Sequence, residues 1–268
     1  MDPTPLTAIT YELSDRIATI TFNQPEVLNP MSPEMVGETI QALDEAAVDP
    51  EVLVVIITGA GRAFSAGGDV RGLVKSNEGD RPTPFQRRAW LRRTQRLILA
   101  IRAVEKPVLA AINGVAAGGG CDIALACDIR FMAEGARIGE VFANIGLFPG
   151  TGGTWLLPRV VGIEKALELI WTAELVEADE AKRIGMVGHV VPGSELMDEV
   201  RTFASRLAEG PPMGLALAKA AVYRGLDQDL VAALDYASTA EAMTLSSDDH
   251  VEGIRAFREK RKPRFEGR

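Results

Sequence analysis

The sequence predicts an α/β fold wound from repeated β-rich crossover units, and three features carry that prediction. Residues 52–58 read Val-Leu-Val-Val-Ile-Ile-Thr without alternation, the pattern of a strand buried on both faces of a parallel sheet. Residues 108–112, Val-Leu-Ala-Ala-Ile, form a second apolar strand of this kind. Helical segments and glycine-bearing loops alternate with these runs, giving the order hairpin, helix, strand, loop, helix, strand, loop, helix.

Taken in order, Ile9, Tyr11 and Leu13 alternate and are followed, after Ser14-Asp15-Arg16, by the apolar run 17–22, which together read as a hairpin. Ser32-Pro33-Glu34 starts a helix: a hydroxyl at the N-cap, proline at the first helical position and an acid near the positive end. Met35, Val36, Ile40, Leu43 and Ala47 fall on one side of that helix, which is expected to end near Asp49-Pro50. Strand 52–58 runs into Gly59 and Gly61. A polar loop over 75–88 precedes an amphipathic helix carrying Trp90, Leu97, Ile98, Ile101 and Val104; strand 108–112 then ends in Asn113-Gly114. From about residue 142 the pattern is nearly all helical, except for a short strand at 187–191. The expected organisation is a β-rich core over residues 1–200 and a helical region over 201–268 that packs on the core or on a neighbouring subunit.

The chain has 268 residues, 47% of them hydrophobic and 25% charged, enough for a large core. No uncharged apolar run reaches the roughly 18 residues of a membrane helix. Met1-Asp2-Pro3-Thr4-Pro5 lacks the basic-then-apolar pattern of a secretory signal, so a cytoplasmic location is expected. The net charge of −8 argues against a nucleic-acid partner, although residues 255–264 form a local basic stretch. Cys121 and Cys127 read as small buried residues, and His189 and His250 are too few for a zinc site or an easily assembled Ser-His triad.

Chemistry is expected at two glycine-rich loops, each following a buried strand: Arg62-Ala63-Phe64-Ser65-Ala66-Gly67-Gly68-Asp69, and the loop from Asn113-Gly114 to Gly118-Gly119-Gly120-Cys121-Asp122. Free backbone N–H groups at the carboxyl edge of a sheet bind ligands, and a helix opening after the three glycines would add its positive end. Either loop alone could be only a turn. Neither has the Gly-Lys-Ser/Thr ending of a phosphate loop, and the second does not fit the dinucleotide fingerprint.

Together the loops resemble the two signature loops of the crotonase, or enoyl-CoA hydratase/isomerase, superfamily. The resemblance extends in order through Asn23-Gln24-Pro25-Glu26-Val27-Leu28-Asn29, Cys127-Asp128-Ile129-Arg130, Ile145-Gly146-Leu147-Phe148-Pro149-Gly150-Thr151-Gly152-Gly153-Thr154, Ala181-Lys182-Arg183-Ile184-Gly185-Met186-Val187 and Ala256-Phe257-Arg258-Glu259-Lys260-Arg261. It implies a crotonase-like spiral of ββα units with a helical C-terminal trimerisation region, in a homotrimer or a dimer of trimers. It also implies an acyl-CoA thioester substrate, with coenzyme A belonging to the substrate and no separate cofactor or metal. The backbone N–H groups of Ala66 and Gly119 are then expected to form an oxyanion hole. Leu28, Ala66, Gly68, Asp69, Val70, Arg71, Gly119, Phe257 and Lys260 are expected to contact the CoA ester. Phe257 and Lys260 belong to its adenine and phosphate end, often from a neighbouring subunit. Loop 75–88, with Trp90 beyond it, falls where the family varies its acyl pocket.

Family hydratases use two glutamates. Asp122 stands at the first position, as a shorter acid, and counting four back from Gly146 puts Phe142 at the second; a slip of two would put Glu140 there instead. Several family members carry Asp at the position of Gly150. With one certain acid, the expectation favours double-bond isomerisation with Asp122 moving the proton, since shuttling one proton between two carbons needs one group. Hydration using Glu140 as the second acid and non-catalytic acyl-CoA binding are the alternatives. Read without the resemblance, Asp122 is a helix-start acid, Glu140 a surface acid and Asp69 a residue that orders its loop.

Overall fold

The structure, a computed structural model, describes residues 6–69 and 81–268. The predicted hairpin forms as β1 (Ile9–Ser14) and β2 (Ile17–Phe22), antiparallel, with Asp15 and Arg16 both at positive φ in the turn. Helix α1 (Pro33–Val48) starts as expected, the Ser32 hydroxyl accepting from the Met35 N–H at 3.1 Å. Strands β3 (Val54–Gly59) and β5 (Val108–Ile112) are buried at every residue. With β7 (Ile129–Ala133) and β10 (His189–Val191) they complete a six-stranded sheet in the order β1-β2-β3-β5-β7-β10, parallel throughout except for β1.

A second sheet runs beside the first. It is built from β4 (Ala63–Ser65), β6 (Val115–Ala117), β8 (Arg137–Gly139) and β9 (Val176–Glu177), with β9 antiparallel. β4, β6 and β8 each follow a strand of the large sheet, so β3–β4, β5–β6 and β7–β8 are successive steps of one spiral, and α3 (Gly119–Ala126) closes the second step. Two or three residues are too few to show a period of two, and β4 and β6 lie inside segments whose glycines read as loop.

Helix α2 (Pro84–Ala103) begins inside the segment expected to be polar loop. The cause is a capping box: Thr83 accepts from the Gln86 N–H at 3.3 Å while the Gln86 side chain accepts from the Thr83 N–H at 2.8 Å. The C-terminal half supplies α4 (Gly153–Val161), α5 (Ile163–Thr172), α6 (Ala178–Arg183), α7 (Leu196–Ala208), α8 (Pro212–Gly225), α9 (Leu230–Leu245) and α10 (Asp248–Glu259). Helix α7 packs across β2, β3, β5 and β7 through buried Val200 and Ala204, and the expected boundary between residues 200 and 201 falls within it. Helix α8 is tied to the core by Asp128, which accepts from Lys219 Nζ and the Tyr223 hydroxyl, both at 2.7 Å. Helices α8 and α9 bury no residue fully in the single chain. Among the described residues, no helix is long and apolar enough to cross a membrane.

Candidate active site

Pairing of β4 with β6 lays the two glycine loops against each other. The approach is backbone to backbone: a Cβ on Gly67 would stand 2.3 Å from the Ala117 carbonyl oxygen, and one on Gly120 2.2 Å from that of Ser65. Only glycine fits either position without moving a main chain.

The N–H groups of the first loop have distinct partners. Ala66 donates to the Leu28 carbonyl at 2.9 Å, and Gly67 donates to Ser65 Oγ at 3.2 Å. Gly68 is exposed, borders the cavity described below, and donates its N–H to nothing among the described residues. The Ala66 N–H, expected to serve a ligand, is thus engaged within the chain, whereas that of Gly68 has no partner among the described residues. Leu28 is held for this by Asn29. Both have positive φ, and the buried Asn29 amide donates to the carbonyls of Ala60 and Ala63 at 2.9 and 2.8 Å while accepting from the Gln24 N–H. On the second loop Gly119 is the first residue of α3, where an N–H has no carbonyl four residues back to bond.

The loops form one wall of a cavity of about 330 Å³. Met31, Gly68, Gly119 and Thr151 line it, and Trp90, Leu91, Leu147 and Phe148 give it an apolar flank suited to an acyl chain. Phe142 also lines it, with the ring edge 3.4 Å from where a Cβ on Gly118 would stand.

The acids lie behind this wall. Asp122, in the first turn of α3, and Glu140, which leaves the end of β8, are both 0% exposed, so Glu140 is not the surface acid expected from its local sequence. Their carboxyl groups converge over the start of α4: a Cβ on Gly153 would lie 2.3 Å from Glu140 Oε1 and 2.8 Å from Asp122 Oδ1. Phe142 faces the cavity, and Glu140 turns inward to Asp122.

Asp122 Oδ2 accepts a short hydrogen bond from the Thr151 hydroxyl. Asp122 Oδ1 and both Glu140 oxygens have no donor at hydrogen-bonding geometry among the described residues. Two ionised carboxylates sharing the single Thr151 donor are untenable in such a place, so the pair holds at least one proton. Burial raises the Asp122 carboxyl to about 6, against the lowering pull of Thr151, Glu140 and the Gly153 N–H. Burial, and then the Asp122 charge, hold Glu140 well above the carboxylate range. The buried Cys121 thiol beside them is itself pushed up by burial and by both acids.

Other expected contacts are placed differently. Asp69 is half-buried at the end of the first loop, and Val70 and Arg71 lie outside the described residues, as do residues 75–80 of loop 75–88. Phe257, on α10, is 86% exposed, and Lys260 caps that helix at positive φ; neither lines the cavity of its own chain. Thr151 was legible only as part of a glycine-rich string. The available signal was a hydroxyl two residues before the helix-opening Gly153, with no apolar stripe to claim it.

Residues 12–268 match the enoyl-CoA hydratase/isomerase family, and the chain belongs to it. It is 38% identical to the short-chain-enoyl-CoA hydratase of Clostridium acetobutylicum over 258 residues, which span 96% of this chain and 97% of that one. Against the (E)-benzylidenesuccinyl-CoA hydratase of Thauera aromatica the identity is 33%, over 97% of this chain and 99% of the relative. The crystal structure of an enoyl-CoA hydratase from Bacillus anthracis superposes with a TM-score of 0.92 at 33% identity, covering 98% of this chain and all of that one. An enzyme of the hydratase/isomerase family with an acyl-CoA substrate follows from these matches, and the α/β spiral with its helical C-terminal region agrees with the solved fold.

Proposed function

We propose that this enzyme is an enoyl-CoA hydratase, adding water reversibly across the double bond of a 2-enoyl-CoA. The observation that carries the reading is the convergence of Asp122 and Glu140 beside the two glycine loops. The names of the relatives fit it better than isomerisation, which the single certain acid in the sequence favoured. In the forward direction water attacks the β-carbon, the double-bond electrons move onto the thioester oxygen, and the α-carbon takes a proton. The N–H groups of Gly68 and Gly119 serve the enolate oxygen, and a donor of this kind is typically worth about 3 to 4 kcal/mol of barrier. The acid pair starts with one proton, gains one from water and gives one to the α-carbon, so it ends as it began. Phe257 and Lys260 are assigned to the CoA of a neighbouring subunit in a trimer; exposure of Phe257 and of the α8 and α9 faces supports this.

A second reading is favoured by Phe142, whose ring lines the cavity where a second acid would face water; it is isomerisation of a 3-enoyl-CoA by the same pair. NMR of crotonyl-CoA and a 3-enoyl-CoA with the protein in heavy water separates the two. A 3-hydroxyacyl product from crotonyl-CoA, lost in Glu140→Gln, is expected. Double-bond migration without hydroxyl addition would replace hydratase by isomerase, and binding of both esters with no turnover and no deuterium uptake would leave only an acyl-CoA binder.

A further inference from the structure

We infer that the Thr151 hydroxyl is the proton relay between the buried Asp122–Glu140 pair and the substrate in the cavity. The inference rests on the acid–base role proposed for that pair and says how it reaches its substrate. Asp122 and Glu140 have no exposed surface and neither lines the cavity, so they cannot touch a bound ester as they stand. Thr151 meets both sides: it lines the cavity, is 7% exposed, and donates its hydroxyl proton to Asp122 Oδ2. It is also beside the oxyanion loops, its Oγ1 lying 3.6 Å from where a Cβ on Gly119 would stand.

The transfer balances without a charged threonine. As water adds to the β-carbon, Thr151 Oγ accepts the proton that water loses while its own O–H proton passes to the Asp122 carboxylate. Protonation of the α-carbon runs the other way: the Thr151 O–H proton goes to carbon and Asp122 restores it. Glu140, with both oxygens free of donors among the described residues, is the second store, handing its proton to Asp122 Oδ1 when Oδ2 has been emptied. Thr94 and Arg87 also line the cavity, but the hydroxyl bonded to Asp122 is that of Thr151.

The test compares Thr151→Val, which keeps the shape and removes the hydroxyl, with Thr151→Ser, which keeps the hydroxyl. Two readouts are taken in heavy water: hydration of crotonyl-CoA and exchange of the α-protons of butanoyl-CoA, alongside calorimetric binding of butanoyl-CoA and the melting temperature. The expected result is a loss of about 10²-fold or more in kcat and in exchange for Thr151→Val, with binding within about threefold of the parent. Thr151→Ser should recover both rates to within about tenfold, which a packing role would not predict because serine lacks the methyl group. Exchange by Thr151→Val within threefold of the parent would overturn the relay. If the parent exchanges but does not hydrate, the hydratase reading fails and the relay is still judged by exchange; if it does neither, both are overturned. Should Thr151→Val melt far below the parent, the decision passes to Thr151→Ser against Thr151→Ala, equal rates in these two overturning the relay.

Discussion

The Glu140 carboxyl fills the space that any side chain at Gly153 would need, its Oε1 standing 2.3 Å from the position of a Cβ there. Gly153→Ala therefore has to expel an acid from its place or shift the start of α4. A cost of about 1–3 kcal/mol is expected, as in other overpacked interiors, together with a fall in kcat of at least tenfold. Urea denaturation and crotonyl-CoA kinetics check both; unchanged kcat would detach Glu140 from the chemistry.

Asp122→Asn is expected to divide stability from activity. The native Asp122 carboxyl titrates at about 6, above the unfolded value near 4, so the native state binds more protons between those pH values. The stabilisation this gives is complete below about pH 4 and is lost as pH rises through 6. The asparagine variant should then melt higher than the parent at pH 8, with little difference at pH 4, while its kcat falls by about 10²–10⁴-fold. Parent activity should decline as pH falls below about 6, where the accepting carboxylate is protonated. Melting curves and rate profiles from pH 4 to 9 check both.

Asn29→Ala removes an amide that serves the carbonyls of Ala60 and Ala63 and the Gln24 N–H from a buried position. Orphaning these groups should cost about 2–3 kcal/mol in chemical denaturation. It should also raise KM for CoA esters, since Leu28 loses the support that fixes its carbonyl on Ala66.

Phe142→Glu returns a carboxyl to the cavity wall. If the enzyme is a hydratase with its pair set back from the substrate, the variant should gain hydration rate relative to 3-enoyl isomerisation, read by product ratio in NMR. A drop in hydration with a rise in isomerisation would show that the ring itself orders the productive ester.

The large sheet was legible because its central strands are continuous apolar runs, and α1 because Ser32-Pro33-Glu34 writes its start in three residues. The small sheet was not, since its stability comes from backbone pairing over strands too short for a side-chain pattern. At the site, the loops could be placed from glycine spacing and Asp122 from a helix start, while its role as an acid came only from the family resemblance. Which N–H on the first loop is free could not, because the Leu28 carbonyl that engages Ala66 is positioned by Asn29, 37 residues earlier in the chain. The inward turn of Glu140 was likewise hidden: residues 140 and 142 differ in direction only through the backbone that follows β8.

The two glycine loops have a consequence for how such an enzyme can be altered. The groups they offer are amides of the main chain at Gly68 and Gly119, spaced by the β4–β6 pairing. Exchanging one side chain for another leaves an amide in place, and among the natural residues only proline deletes the hydrogen outright. A survey by alanine replacement would thus pass over whatever these two amides bind or report it only as misfolding. Single substitutions meet the same asymmetry: they change the side-chain chemistry at positions such as 122, 140, 142 and 151 and leave these two amides as they are.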